Sequence, residues 1–81
     1  MTVDEFDDAV RKTVGRNLRK LRTGQKMTLQ QVADLAEVAW HTVYKWEHGR
    51  MTPSLGRLLW LCKRSGWRLA DILGGPKNAG N

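Results

Sequence analysis

Residues 29–52 read LQQVADLAEVAWHTVYKWEHGRMT, and this stretch decides the fold. Val32, Ala33, Leu35 and Ala36 recur at helical spacing, then Glu37 and Val38 interrupt the pattern, then Val43 and Trp46 resume it. Two short helices joined by so few residues have no room to lie side by side. They must cross steeply, packing through Val32, Ala33, Ala36, Val38, Val43 and Trp46, with the small Ala33 where the backbones approach. Thr28 caps the first of the two, and the second spans 39–47 before stopping at His48 and Gly49. Gly49 suits a left-handed C-terminal cap. Burying Val43 and Trp46 turns Trp40, His41, Tyr44 and Lys45 outward along one stripe.

Outward from this pair, the same periodicity predicts three more helices. Thr2 and Glu5 have the spacing of a capping box, and Val3, Phe6, Val10, Val14, Leu18 and Leu21 make a long first helix, weakened near Gly15. Its other face carries Arg11, Lys12, Arg16, Arg19 and Lys20, which reads as a solvated face with no individual roles. Thr23, Gly24, Gln25 and Lys26 end it. Pro53 bars helix continuation after Met51 and Thr52. Ser54 then caps a fourth helix with Leu55, Leu58, Leu59, Leu61 and Cys62 as apolar positions, and a short fifth spans 69–73. Nothing alternates with period two, so the fold class is all-α with five helices. The organisation expected is an acidic extension of helix 1 over 1–13, a domain over 14–73 and a flexible tail over 74–81.

The chain has 81 residues and a formal net charge of +6. That length suits one small core of marginal stability. The charge is unevenly placed, since Asp4, Glu5, Asp7 and Asp8 precede every one of the 14 Lys and Arg residues. Such a field favours a polyanion, a nucleic acid or an anionic membrane surface, although a basic surface also serves solubility alone. The single cysteine, Cys62, makes no internal disulfide, no apolar run approaches membrane-spanning length, and the acidic start is unlike a secretory signal. A cytoplasmic protein is expected. His41, His48 and Cys62 lie on separate segments without a partner at ligand spacing, so no metal site, no cofactor and no enzymatic activity are expected. The stripe of Trp40, His41, Tyr44 and Lys45 has the dimensions and chemistry to enter a DNA major groove.

Across residues 14–73 the sequence resembles the phage repressor and Cro (XRE-like) helix-turn-helix family. The resemblance is carried by Val14, Gly15, Leu18, Leu21 and Arg22, by Thr28, Val32, Ala33, Val38 and Val43, and by Trp46, Glu47, Gly49, Pro53 and Ser54. Leu58, Leu61, Gly66 and the segment 69–73 continue it in register. It implies a compact five-helix, lambda-repressor-like fold with the helix-turn-helix at helices 2 and 3. It also implies a sequence-specific double-stranded DNA-binding transcriptional regulator, expected to be a repressor. By resemblance Trp40, His41, Tyr44 and Lys45 face base edges, while Thr28, His48, Arg50 and Thr52 grip phosphates. Arg22 and Glu47 would form a structural ion pair.

Four positions depart from the family pattern. Glu37 replaces the usual turn glycine, at a cost of about 1 kcal/mol if the turn stays left-handed. Ala39 replaces a Ser or Thr cap worth roughly 1 kcal/mol. Leu29 replaces a glutamine that touches phosphate, and Trp40 is bulky for a residue entering a groove. Of the four tryptophans, Trp46 reads as core and Trp67 as filling space beside the small Ser65. Gly56, Trp60 and Arg64 form one stripe on helix 4, read as a homodimer interface, with a partly covered surface tryptophan as the rival. The acidic start either caps helix 1 or serves a protein partner or repels DNA. The alternative function is a protein-interaction module of the same fold, antitoxin-like or accessory to a larger DNA complex such as an excision or recombination assembly. No membrane partner is expected.

Overall fold

The computed structural model describes residues 1–74 and consists of five helices in chain order: α1 (Val3–Gly24), α2 (Leu29–Ala36), α3 (Trp40–Glu47), α4 (Leu55–Ser65) and α5 (Leu69–Leu73). The expected capping box at Thr2 is made, and the expected cap at Thr28 is a second box. Thr2 exchanges hydrogen bonds with Glu5, and Thr28 does the same with Gln31. Each box satisfies amide groups that a helix start leaves without partners. Ser54 caps α4 by accepting from the Arg57 N–H.

α1 is the scaffold, with α3 packed on one side and α5 on another, while α2 lies against α3 and α4. The shared core is Val14 and Leu18 of α1, Val32, Ala33 and Ala36 of α2, Val43 and Trp46 of α3, Leu58 and Leu61 of α4, with Trp67 and Ile72. Trp67 is buried as expected for a space-filler, and its indole N–H has no partner among the described residues. Two side-chain clasps hold the smaller helices. Arg57 donates to the Ala36 carbonyl at the end of α2, and the Asn17 amide donates to the carbonyls of Ile72 and Gly74. Gly74, assigned above to the tail, is therefore tied to α1. The rest of that segment, 75–81, lies outside the described residues.

Several expectations need correcting. α1 is unbroken at Gly15, which is instead its point of closest approach to α3: an added Cβ would overlap the Trp46 carbonyl oxygen and sit 2.8 Å from that of Glu47. The helix ends at Gly24, within the stretch expected to stop it, and Lys26 there is left-handed, with φ 55°. Val3 and Phe6 continue the apolar stripe of α1 but are exposed, because the first turns of α1 extend past the helices that cover Val10 and Val14. Leu55 and Leu59 of α4 are exposed as well, since the core side of that helix is taken by Leu58 and Leu61. No helix among the described residues is long and apolar enough to cross a membrane.

Gly15→Ala is expected to lose about 1–3 kcal/mol of stability by forcing α1 from α3. Gly24→Ala, whose added methyl meets nothing within 4 Å, should be neutral or stabilising. Urea denaturation of both variants checks this, and equal stabilities would contradict a close crossing at Gly15.

Candidate nucleic-acid interface

The two short helices are joined by a left-handed residue, Glu37, with φ 59° and ψ 47°. Its neighbours explain how a residue with a long side chain stands in a glycine position. The Glu37 carboxylate accepts from the Trp60 indole N–H at 3.1 Å and from Arg64 at 3.4 Å, and the Arg64 guanidinium lies 5.5 Å from the Trp60 ring centroid. The turn is thus clasped to α4. This cluster was invisible in the sequence, where Trp60 and Arg64 were assigned only to an interface stripe with Gly56. At Gly56 the surface is open, with nothing within 4 Å of an added Cβ. Leu55 and Leu59 flank it, exposed.

α3 begins at Trp40 after Ala39, which supplies no side-chain cap. Val43 and Trp46 are buried and Glu47 nearly so, which orients the opposite face to solvent. There the structure brings together Trp40, His41, Tyr44 and Lys45, all exposed. Trp40 and His41 meet edge to face, with centroids 5.8 Å apart. Tyr44 stacks on His48 at 3.9 Å, and His48 Nδ1 lies 2.9 Å from the Tyr44 carbonyl oxygen. A carbonyl only accepts, so Nδ1 carries the proton and Nε2 is left for other contacts. His48, Arg50 and Thr52 follow one another at the surface after α3, and all three are exposed. Thr28 stands at the start of α2, its hydroxyl oxygen accepting the Gln31 N–H while its hydroxyl proton stays available.

Glu47 points the other way, into the crossing with α1. Arg22 meets it with two parallel bonds, Nε to Oε2 at 2.6 Å and Nη2 to Oε1 at 3.0 Å, and its third nitrogen donates to the Met27 carbonyl. The side chains are 16% and 2% exposed, so the fork replaces nearly all the water the carboxylate gives up. The hydrogen bonding to Glu47 raises the Arg22 pKa further above its already high value.

Sequence reasoning gave the basic face of α1 no individual roles, and two of its residues have them. Arg11 Nε donates to the Gly49 carbonyl at 2.8 Å, and the Lys12 side chain passes beneath Gly49. Both also pair with Asp8, at 2.6 and 2.9 Å, and the Lys12 hydrogen bond leads the effects that hold the Asp8 carboxyl below its usual range. The i, i+4 spacing of Asp8 and Lys12 was readable, whereas the contact with Gly49 depends on how α1 crosses α3. Cys62 is half buried, and burial pushes its thiol pKa up, away from nucleophilic use. Among the described residues no cluster of three or more His, Cys, Asp or Glu side chains could hold a metal ion.

The sequence model of the Cro/C1-type HTH DNA-binding domain matches residues 17–77, about three quarters of the chain. The chain belongs to this family. No curated protein matches the sequence. In this Cro/C1-type domain α2 and α3 form the helix-turn-helix, and α3 presents the exposed stripe. The matched segment begins within α1, so residues 1–16 are additional to it.

Removing one half of the buried fork leaves the other charge poorly solvated. Glu47→Ala is expected to cost about 3 kcal/mol, well beyond an ordinary surface change. Chemical denaturation measures it, and a loss no larger than that of Asp34→Ala would show that the pair does not brace α3.

Proposed function

We propose that this Cro/C1-type protein is a sequence-specific regulator of transcription that reads the major groove of double-stranded DNA with α3. The observation that carries the reading is the division of α3 into two faces. Val43, Trp46 and Glu47 are held against the scaffold, and Trp40, His41, Tyr44 and Lys45 project together from a helix narrow enough for the groove. Lys45 and His41 can donate to guanine N7 and O6, while Trp40 and Tyr44 offer apolar contact to thymine methyls. Thr28, His48, Arg50 and Thr52 grip the flanking phosphates and set the register without reading sequence. Occupying a site is enough to block its use, so repression is the simplest output. The domain proper is 14–73, with the acidic residues of 1–13 capping α1.

The protein acts on DNA as a homodimer, its half-sites about 34 Å apart, one helical turn. The α4 surface supports this, with Gly56 open between the exposed side chains of Leu55, Leu59 and Trp60. A second reading, a module that binds another protein, is favoured by the same exposed α4 surface and by Trp40, which is 50% exposed on the reading face. Salt separates the two readings, because contacts to several phosphates weaken steeply with ionic strength and a tryptophan-centred protein contact does not.

Selection of bound duplexes from a random pool at two salt concentrations is the test, and recovery of a short inverted repeat is the expected result. On that site Lys45→Ala and His41→Ala should each cost about 1–3 kcal/mol and relax the preference at one position, while Arg50→Ala weakens all sequences alike. Uniform loss for all three would sink this division of labour. Trp60→Ala should raise the dimer dissociation constant at least about tenfold by sedimentation, as expected of a central aromatic. Unchanged self-association would move the interface elsewhere.

A further inference from the structure

The helix-turn-helix and the loop after it do not exhaust the basic surface beside α3. Lys12 and Arg16, one turn apart on α1 and both outside the family match, line a shallow open cleft of about 250 Å³ with Glu47, His48 and Gly49. Its walls are held in place. An added Cβ on Gly49 would lie 3.2 Å from Lys12 Cγ, so the lysine stem runs directly under the chain leaving α3, and Arg11 anchors the Gly49 carbonyl. Glu47 is the one acid in this lining, and both of its oxygens accept from Arg22. Its charge is therefore met inside the crossing, and the cations of the cleft are left without an acidic wall. His48 stands at the edge with Nδ1 donating to the Tyr44 carbonyl, which leaves Nε2 of the neutral ring an acceptor, so the donors that face an anion here are Lys12 and Arg16.

The present partner of Lys12 is Asp8, at 2.9 Å, in a pair whose side chains are 61% and 44% exposed. Exposed pairs of this kind contribute little and give way readily to a better anion. Arg16 donates to the Thr13 hydroxyl at 3.3 Å, a long bond that also yields easily. His48 also belongs to the exposed series His48, Arg50 and Thr52, so an anion in the cleft would continue the same line of contacts. We propose that the cleft binds a further phosphate of the DNA backbone through Lys12 and Arg16, flanking the bases that α3 reads. The site rests on the DNA reading above and extends the footprint onto the part of α1 that precedes the matched segment. Asp8 is its counter-ion in the free protein and is displaced by DNA.

The experiment measures affinity for the selected duplex over a salt series, using the full chain and the variants Lys12→Gln, Arg16→Gln, their double variant, Asp8→Asn and Lys20→Ala. Glutamine keeps most of each stem, and both residues are exposed, so thermal melts should match the parent. The double variant is expected to bind about tenfold more weakly, with the salt slope reduced by about one and the ranking of DNA sequences unchanged. Asp8→Asn should tighten binding by about twofold or more, because the counter-ion no longer competes. Lys20→Ala removes one charge from α1 outside the cleft and should change affinity by less than about twofold. An unchanged affinity and slope in the double variant, or an equal loss from Lys20→Ala and Lys12→Gln, would overturn the cleft while leaving the DNA reading intact. Failure of the parent protein to bind any duplex at low salt would overturn both.

Discussion

Glu47 takes a carboxylate into the crossing of α1 and α3, where almost no water reaches it, and the orientation of α3 follows from how that charge is met. Arg22 answers with a planar fork that also reaches the Met27 carbonyl, so one guanidinium joins the last turn of α1, the turn before α2 and the end of α3. Gly15 makes the arrangement possible by letting the backbones approach to a distance that no Cβ allows. A buried charge pair adds little net stability compared with apolar packing, but it tolerates few geometries. What it contributes here is direction, since rotating α3 would break both bonds and bury an unpaired charge.

The helix-turn-helix itself carries two local defects, and the surrounding structure offsets them differently. Glu37 holds a left-handed conformation at a cost of about 1 kcal/mol, and its side chain recovers contacts with Trp60 and Arg64. This joins the turn to α4, the helix whose exposed surface is the candidate contact with a second copy. Ala39 has no such compensation, and the start of α3 is left without a side-chain acceptor. Helix α3 is therefore held mainly from its C-terminal end, through Trp46, Glu47 and the bond from Arg11 to Gly49.

Charge is distributed along α1 with its acids first and its bases after them. Asp4 and Glu5 stand in the first turn, where the helix dipole favours anions, and Asp8 one turn later neutralises Arg11 and Lys12. The acidic start thus has local partners within its own helix. Beyond it the basic residues continue along α1, and the part nearest α3 adjoins the loop of His48 and Arg50.

Much of this was determined by the sequence alone. The spacing of Val32, Ala33, Ala36, Val43 and Trp46 specified two crossing helices, because helical period and a short connection leave one way to bury those side chains. Thr2, Thr28, Ser54 and Gly49 marked helix ends through chemistry confined to three or four neighbouring residues, and the outward stripe of α3 followed from its buried one. Periodicity could not tell how far each apolar stripe would be covered, so Val3, Phe6, Leu55 and Leu59 read as core and stand in water. Nor could it see that Gly15 marks a contact, that Glu37 reaches Trp60, or that Lys12 lies beneath Gly49. Those features depend on where one helix meets another, a relation between residues distant in the chain that only the tertiary packing of α1 against α3, and of the turn against α4, decides.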